Sequence, residues 1–159
     1  MISSTVAENS AVVAGGGTQH IGGVLTATNT LFAANSAASG ADFSGALTSG
    51  GNNLLTDSSG ATITGDMSGN ILDVPALLGA LTDNGGATET HALLTGSPAL
   101  DAGVLVGLNL DQRGITRPEG AAADIGAFEA VPTVGGLRIA AADTNRDGFV
   151  SPIDVLLVI

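Results

Sequence analysis

Lysine is absent from this 159-residue chain, and only four arginines, Arg113, Arg117, Arg138 and Arg146, stand against fifteen acidic residues. The formal charge of −11 at pH 7 argues against a nucleic-acid binder, whose affinity rests on basic side chains neutralising phosphates. It equally disfavours anionic membrane surfaces. Cysteine is missing too, so no disulfide closes a loop and rigidity has to come from packing, hydrogen bonds or bound ions. Tryptophan and tyrosine do not occur. No apolar run approaches the length of a membrane span, so no membrane insertion is expected. Met1 to Thr5 lack the basic start and apolar core of a secretion signal. That signal is expected outside this chain, which reads as a fragment of a longer secreted protein.

What is present is small, apolar and turn-rich. Glycine occupies 24 positions and the chain is 44% hydrophobic, mostly alanine, valine and leucine, a composition too apolar for a disordered chain. The segment Val6-Ala-Glu-Asn9-Ser-Ala11 returns as Phe32-Ala-Ala-Asn35-Ser-Ala37, 26 residues later. The apolar-then-asparagine theme continues through Gly45 to Leu55 and around Ala61 to Thr64. Strand-like segments recurring at such a period between glycine breaks predict a solenoid, in which each coil buries its inner face only against its neighbours. The asparagines suit the corners of such coils. They tolerate left-handed backbone, and stacked amides can bond along the axis, a structural role.

From Leu72 to Glu129 the texture changes. Leu81-Thr-Asp-Asn-Gly-Gly86, His91-Ala-Leu-Leu94, Ser97-Pro-Ala-Leu-Asp-Ala-Gly103, Asp111-Gln-Arg-Gly114 and Asp124-Ile-Gly-Ala-Phe-Glu129 follow in order. Together they resemble the C-terminal portion of bacterial right-handed parallel β-helix surface proteins, the choice-of-anchor Q group akin to polymorphic outer-membrane proteins. The resemblance covers most of residues 1–130. It implies an all-β fold, a right-handed parallel β-helix, ending in a C-terminal cap, and it implies no single activity. Arg113 and Arg117 sit among Asp101, Asp111, Asp124 and Glu129, where guanidinium groups can brace loops through carboxylates. They are expected to pin the terminal coils.

The sharpest chemistry lies near the C-terminus: Asp143-Thr-Asn145-Arg-Asp147-Gly148-Phe149-Val-Ser151-Pro-Ile-Asp154, then the apolar run Val155 to Ile159. Numbered as a twelve-residue calcium loop, it offers oxygen side chains at positions 1, 3, 5, 9 and 12 and a backbone carbonyl at 7. Glycine at position 6 permits the sharp turn. Asp143, Asn145, Asp147 and Asp154 would ligate Ca²⁺ through side chains, Phe149 through its carbonyl, and Ser151 directly or through water. Position 12 is aspartate rather than the usual glutamate, and Leu137 to Ala142 make a poor entering helix. A loop of this kind before an apolar helix resembles one half of a dockerin type I domain. That resemblance implies a cohesin-like protein or cell-surface component as partner. Positions 10 and 11, which select the partner in dockerins, are Pro152 and Ile153 here and not a hydroxyl pair.

The expected organisation is therefore coils and cap over 1–130, a linker over 131–142, and a partial dockerin-like loop and helix over 143–159. Twelve acids and two arginines fall in the first part, leaving −10 there and −1 beyond it. The expected function is that of an extracellular structural or adhesive surface module, carbohydrate-facing or protein-docking through the calcium tail. The alternative is a non-catalytic fragment of a secreted polysaccharide-degrading β-helix enzyme, a lyase or glycoside hydrolase.

Residue chemistry does not favour catalysis within the chain. Residues 1–71 contain no lysine or arginine to serve as a lyase base. Asp42, Asp57, Asp66 and Asp73 are glycosidase candidates by type alone, and their Gly/Ser surroundings read as solvated turns. His20 and His91 are the only histidines and lack metal-ligand spacing. Ser97 lacks the Gly-x-Ser-x-Gly nucleophile pattern.

Overall fold

The computed structural model describes residues 1–134 together with 137 and 138. Among the described residues twelve short strands are present: β1 (Thr5–Ala7), β2 (Thr18–His20), β3 (Thr26–Ala27), β4 (Leu31–Ala33), β5 (Phe43–Gly50), β6 (Leu54–Leu55), β7 (Ala61–Asp66), β8 (Ile71–Leu72), β9 (Leu78–Thr82), β10 (Thr90–Leu93), β11 (Thr133–Val134) and β12 (Leu137–Arg138). No helix occurs among the described residues, hence none long and apolar enough to cross a membrane. The described residues are mostly strand and turn.

The first eight strands form two parallel sheets between which the chain alternates. One sheet has the order β1-β4-β6-β8. In the other, β5 pairs with β2 over its first residues, with β3 near its end and with β7 along most of its length. The register of the first sheet matches the sequence repeat: Thr5, Val6 and Ala7 face Leu31, Phe32 and Ala33. The spacing between equivalent positions then shortens along the stack. It is 26 residues from Asn9 to Asn35, 23 from Thr30 to Asn53, and 17 from Asn53 to Asn70. The connections contract while the strand ladder is kept.

Both faces of the first sheet are covered. Leu31, Ala33 and Leu54 pack with Ala76, Ala99 and Ile125 of the C-terminal segment, whereas Phe32 and Leu55 pack with Ala27, Phe43 and Leu47 of the second sheet. Period-two alternation sends neighbours to opposite sides, so β4 is buried at all three positions. This is the pattern of a parallel sheet covered on both faces. Phe32 and Phe43 meet edge to face, their centroids 5.7 Å apart at 87°, a geometry that adds about 0.5–1.5 kcal/mol to burial.

Residues 74–130 are mainly irregular, apart from the antiparallel pair β9–β10. This segment packs along one face of the first sheet through Ala76, Ala99 and Ile125. Its backbone reaches Asn29 from Gly126 at 3.0 Å and Thr5 from Ala127 at 3.0 Å, back to the first strand.

Asparagine rungs join the layers. Asn9 donates its amide to Asn35 Oδ1 at 3.1 Å, and its backbone N–H donates to the same oxygen at 3.0 Å. Asn53 repeats the arrangement on Asn70 Oδ1, at 3.3 and 2.9 Å. Asn29 and Asn52 do adopt left-handed φ, of 54° and 52°. At the Asn9 and Asn35 corners, however, the left-handed residues are the preceding Glu8 and Ala34. There the asparagine supplies the bond and its neighbour supplies the turn.

Candidate functional site

The sequence-expected calcium ligands, Asp143, Asn145, Asp147, Phe149, Ser151 and Asp154, lie outside the described residues. Among the described residues no group of three or more His, Asp or Glu side chains is placed to hold a metal ion.

The aspartates considered as acid/base candidates are occupied as turn staples. Asp57 accepts the N–H of Ser59 at 2.9 Å and that of Ala41 at 3.3 Å. Hydrogen bonds from Ser59, with a smaller one from Ala41, outweigh its partial desolvation and lower its pKa. Exposed Asp66 is lowered likewise by Ser68. Asp73 accepts both the N–H and the hydroxyl of Ser58, at 2.9 and 3.0 Å. Asp42 departs from the expectation of a solvated turn residue, for it is fully buried. One of its oxygens takes the Asn35 amide at 2.8 Å, and the other takes the Thr56 hydroxyl at 2.7 Å and the Asp57 N–H at 2.8 Å. Burial is tolerable because several donors replace water.

The two histidines and Ser97 are likewise tied to the backbone. His20 Nδ1 bonds the Ala46 carbonyl at 2.8 Å, and His91 Nδ1 that of Gly79 at 2.9 Å. Buried Ser97 donates to the Ala76 carbonyl.

Among the described residues both ion pairs lie in one cluster, built around Arg113 and Arg117. Glu129 is fully buried and accepts from Arg117 Nη1 at 3.1 Å, the Asp124 N–H at 2.9 Å and the Glu119 N–H at 3.0 Å. Arg117 also donates to the carbonyls of Asp124 and Gly126, at 2.9 and 2.7 Å. Arg113 pairs with Asp111 at 2.7 Å, donates to the Glu129 carbonyl, and stacks its guanidinium over Phe128 at 3.5 Å from the ring centroid. These residues of the C-terminal segment are clamped to one another, and Arg113 reaches the Asn84 carbonyl as well, at 3.4 Å. The two arginines therefore brace loops, as their sequence neighbourhood suggested. The central place of Glu129 was not legible from spacing.

Asp124 holds two segments at once, taking the Asp101 N–H on one oxygen at 2.8 Å and the Ala130 N–H on the other at 2.6 Å. Burial raises its pKa to about 6; those two N–H groups oppose the rise, and the charges of Glu129 and Asp101 add to it. Asp111 goes the other way. Burial would raise it, but N–H groups of Glu129 and Ile115 together with Arg113 hold it below the ordinary range.

A cleft of about 430 Å³ opens beside Asp101, Arg113, Asp124 and Phe128. Each carboxylate of the cluster accepts backbone N–H groups or pairs with arginine, so the arrangement fastens loops to one another. Comparison of the chain with protein-family models, curated proteins and solved structures finds no match.

Proposed function

We propose that the chain is the C-terminal part of a right-handed parallel β-helix serving as an extracellular structural or adhesive surface module, with a calcium-binding, dockerin-like tail. The observation that carries the scaffold reading is the agreement of the 26-residue sequence echo with the parallel pairing of β1 on β4, bridged by Asn9 and Asn35. A layered body with occupied carboxylates supports a role in display and contact rather than in bond cleavage. The tail reading rests on the oxygen spacing from Asp143 to Asp154. Empty, its three carboxylates repel one another; Ca²⁺ would neutralise them and order the loop. The ordered Val155–Ile159 segment would then face a cohesin-like protein or another cell-surface component, with polysaccharide as a further contact of the body.

Calorimetric titration of the whole chain with Ca²⁺ tests the tail. A binding heat is expected that is lost in Asp147→Asn and in Asp143→Asn. Absence of heat at millimolar Ca²⁺, or equal heat in the variants, would remove the calcium tail from the proposal.

A further inference from the structure

A separate cleft of about 460 Å³ crosses the ends of the first sheet's strands, where Glu8, Ala34, Thr56 and Asp73 follow directly on β1, β4, β6 and β8. Pro75, Ala76, Leu77 and Leu78 give it an apolar lining beside them. The volume falls in the range of ligand sites, roughly 300–1,000 Å³. Glu8, Ala34 and Asp73 hold left-handed φ of 58°, 55° and 59°, as tight corners demand. Leu77 follows no strand, yet it too is left-handed, at 52°, and it leaves 44% of its surface in water. A bulky residue is strained in that conformation, and exposing its side chain recovers little by burial. Such outliers gather where a ligand is clamped.

Electrostatics select the occupant. Glu8 and Asp73 are exposed carboxylates at the margin of the cleft, and Asp73 is fixed in place by Ser58. Arg113 and Arg117 are engaged by Asp111 and Glu129. With no lysine and a net charge of −11, the long-range field draws cations. Arginine and lysine also carry aliphatic stems that lie on apolar surface while their heads stay charged.

We propose that this cleft is a docking groove for an extended basic peptide, its arginine or lysine stems on Leu77 and Leu78 and their cationic heads against Glu8 and Asp73. The proposal goes beyond the surface-module reading and is independent of the calcium loop, so its test runs in chelator.

The probe is a fluorescent peptide alternating arginine and leucine, read by anisotropy against the whole chain, with a glutamate-for-arginine peptide as control. Only the arginine peptide should bind. Glu8→Gln and Asp73→Asn should each weaken it about threefold to fivefold, the scale of one exposed charge pair. Asparagine tolerates the left-handed corner, so Asp73→Asn keeps the fold. Leu77→Gly should weaken binding while the melting temperature holds or rises. Asp66→Asn, exposed on β7 outside the groove, should leave affinity unchanged. Equal loss in Asp66→Asn and Glu8→Gln would reduce binding to diffuse charge and overturn the groove. So would equal binding of the two peptides, or no binding of the arginine peptide.

Discussion

The stacked strands β1–β8 and the segment 74–130 solve the same problem with different chemistry. In the stack, much of the backbone pairs in parallel ladders, and the corners are bridged by asparagines and by the carboxylates of Asp42, Asp57 and Asp73, with no basic side chain among them. Residues 1–71 need no basic side chain. The C-terminal segment has little ladder of its own, so its buried N–H and C=O groups turn to carboxylates and guanidinium groups. Glu129 alone accepts two backbone N–H groups and an arginine. Repetition satisfies much of a backbone with itself; irregular chain relies more on side chains, here with arginines among them.

The sharpest way to break this contrast is to remove one arginine. Arg117→Ala leaves fully buried Glu129 without its cation, and removing one member of a buried pair costs about 3–5 kcal/mol. A drop of roughly 10 °C in melting temperature is expected for a domain of this size. An unchanged melting curve would show that charge does not hold the segment in place.

Acidity separates the two regions next. The folded pKa of Asp124, about 6, stands above its ordinary 3.8, so the folded state binds this proton more tightly than the unfolded one. Its stabilising contribution is therefore full below about pH 4 and fades as pH rises towards 6, by at most about 3 kcal/mol. Asp111 is lowered and contributes in the opposite sense, above its unfolded pKa and lost as pH falls further. Melting temperature should decline from pH 5 to pH 7 in the native chain and lose that decline in Asp124→Asn. A native chain that is flat over this window would contradict the assignment.

The smallest of the three effects belongs to the stack. Asn53→Ala removes the side-chain bonds to the Ala27 carbonyl and to Asn70, and leaves the Thr30 N–H without its acceptor. About 1–3 kcal/mol should be lost, the cost of stranding buried polar groups, measured by chemical denaturation. Because the rung is neutral, the loss should be the same at low and high salt. A salt-dependent loss would erase the distinction between the two regions.

Much of the stack could be read from residue order alone. The echo of Val6–Ala11 in Phe32–Ala37 set the register, because a parallel ladder repeats its side-chain environment and so repeats its residues. The asparagines were legible as bonds, though not the transfer of the left-handed turn to Glu8 and Ala34, since a corner's φ depends on how neighbouring layers crowd it. Arg113 and Arg117 were legible as braces from the acids near them. Asp42 was misread as solvated, for its donors are brought by Asn35, Thr56 and Asp57, which only the coiling of the chain collects.

Sequence by itself determined the repeat, the absence of basic chemistry from residues 1–71, and the oxygen spacing of Asp143–Asp154, because each of these is a property of residue type and order. Tertiary structure decided that the irregular segment lies along one face of the first sheet, that Glu129 is its buried anchor, and that Glu8, Asp73 and Leu77 share one groove. Those are contacts between positions far apart in the chain, fixed by which surfaces exclude water together and by where the displaced backbone finds its hydrogen bonds.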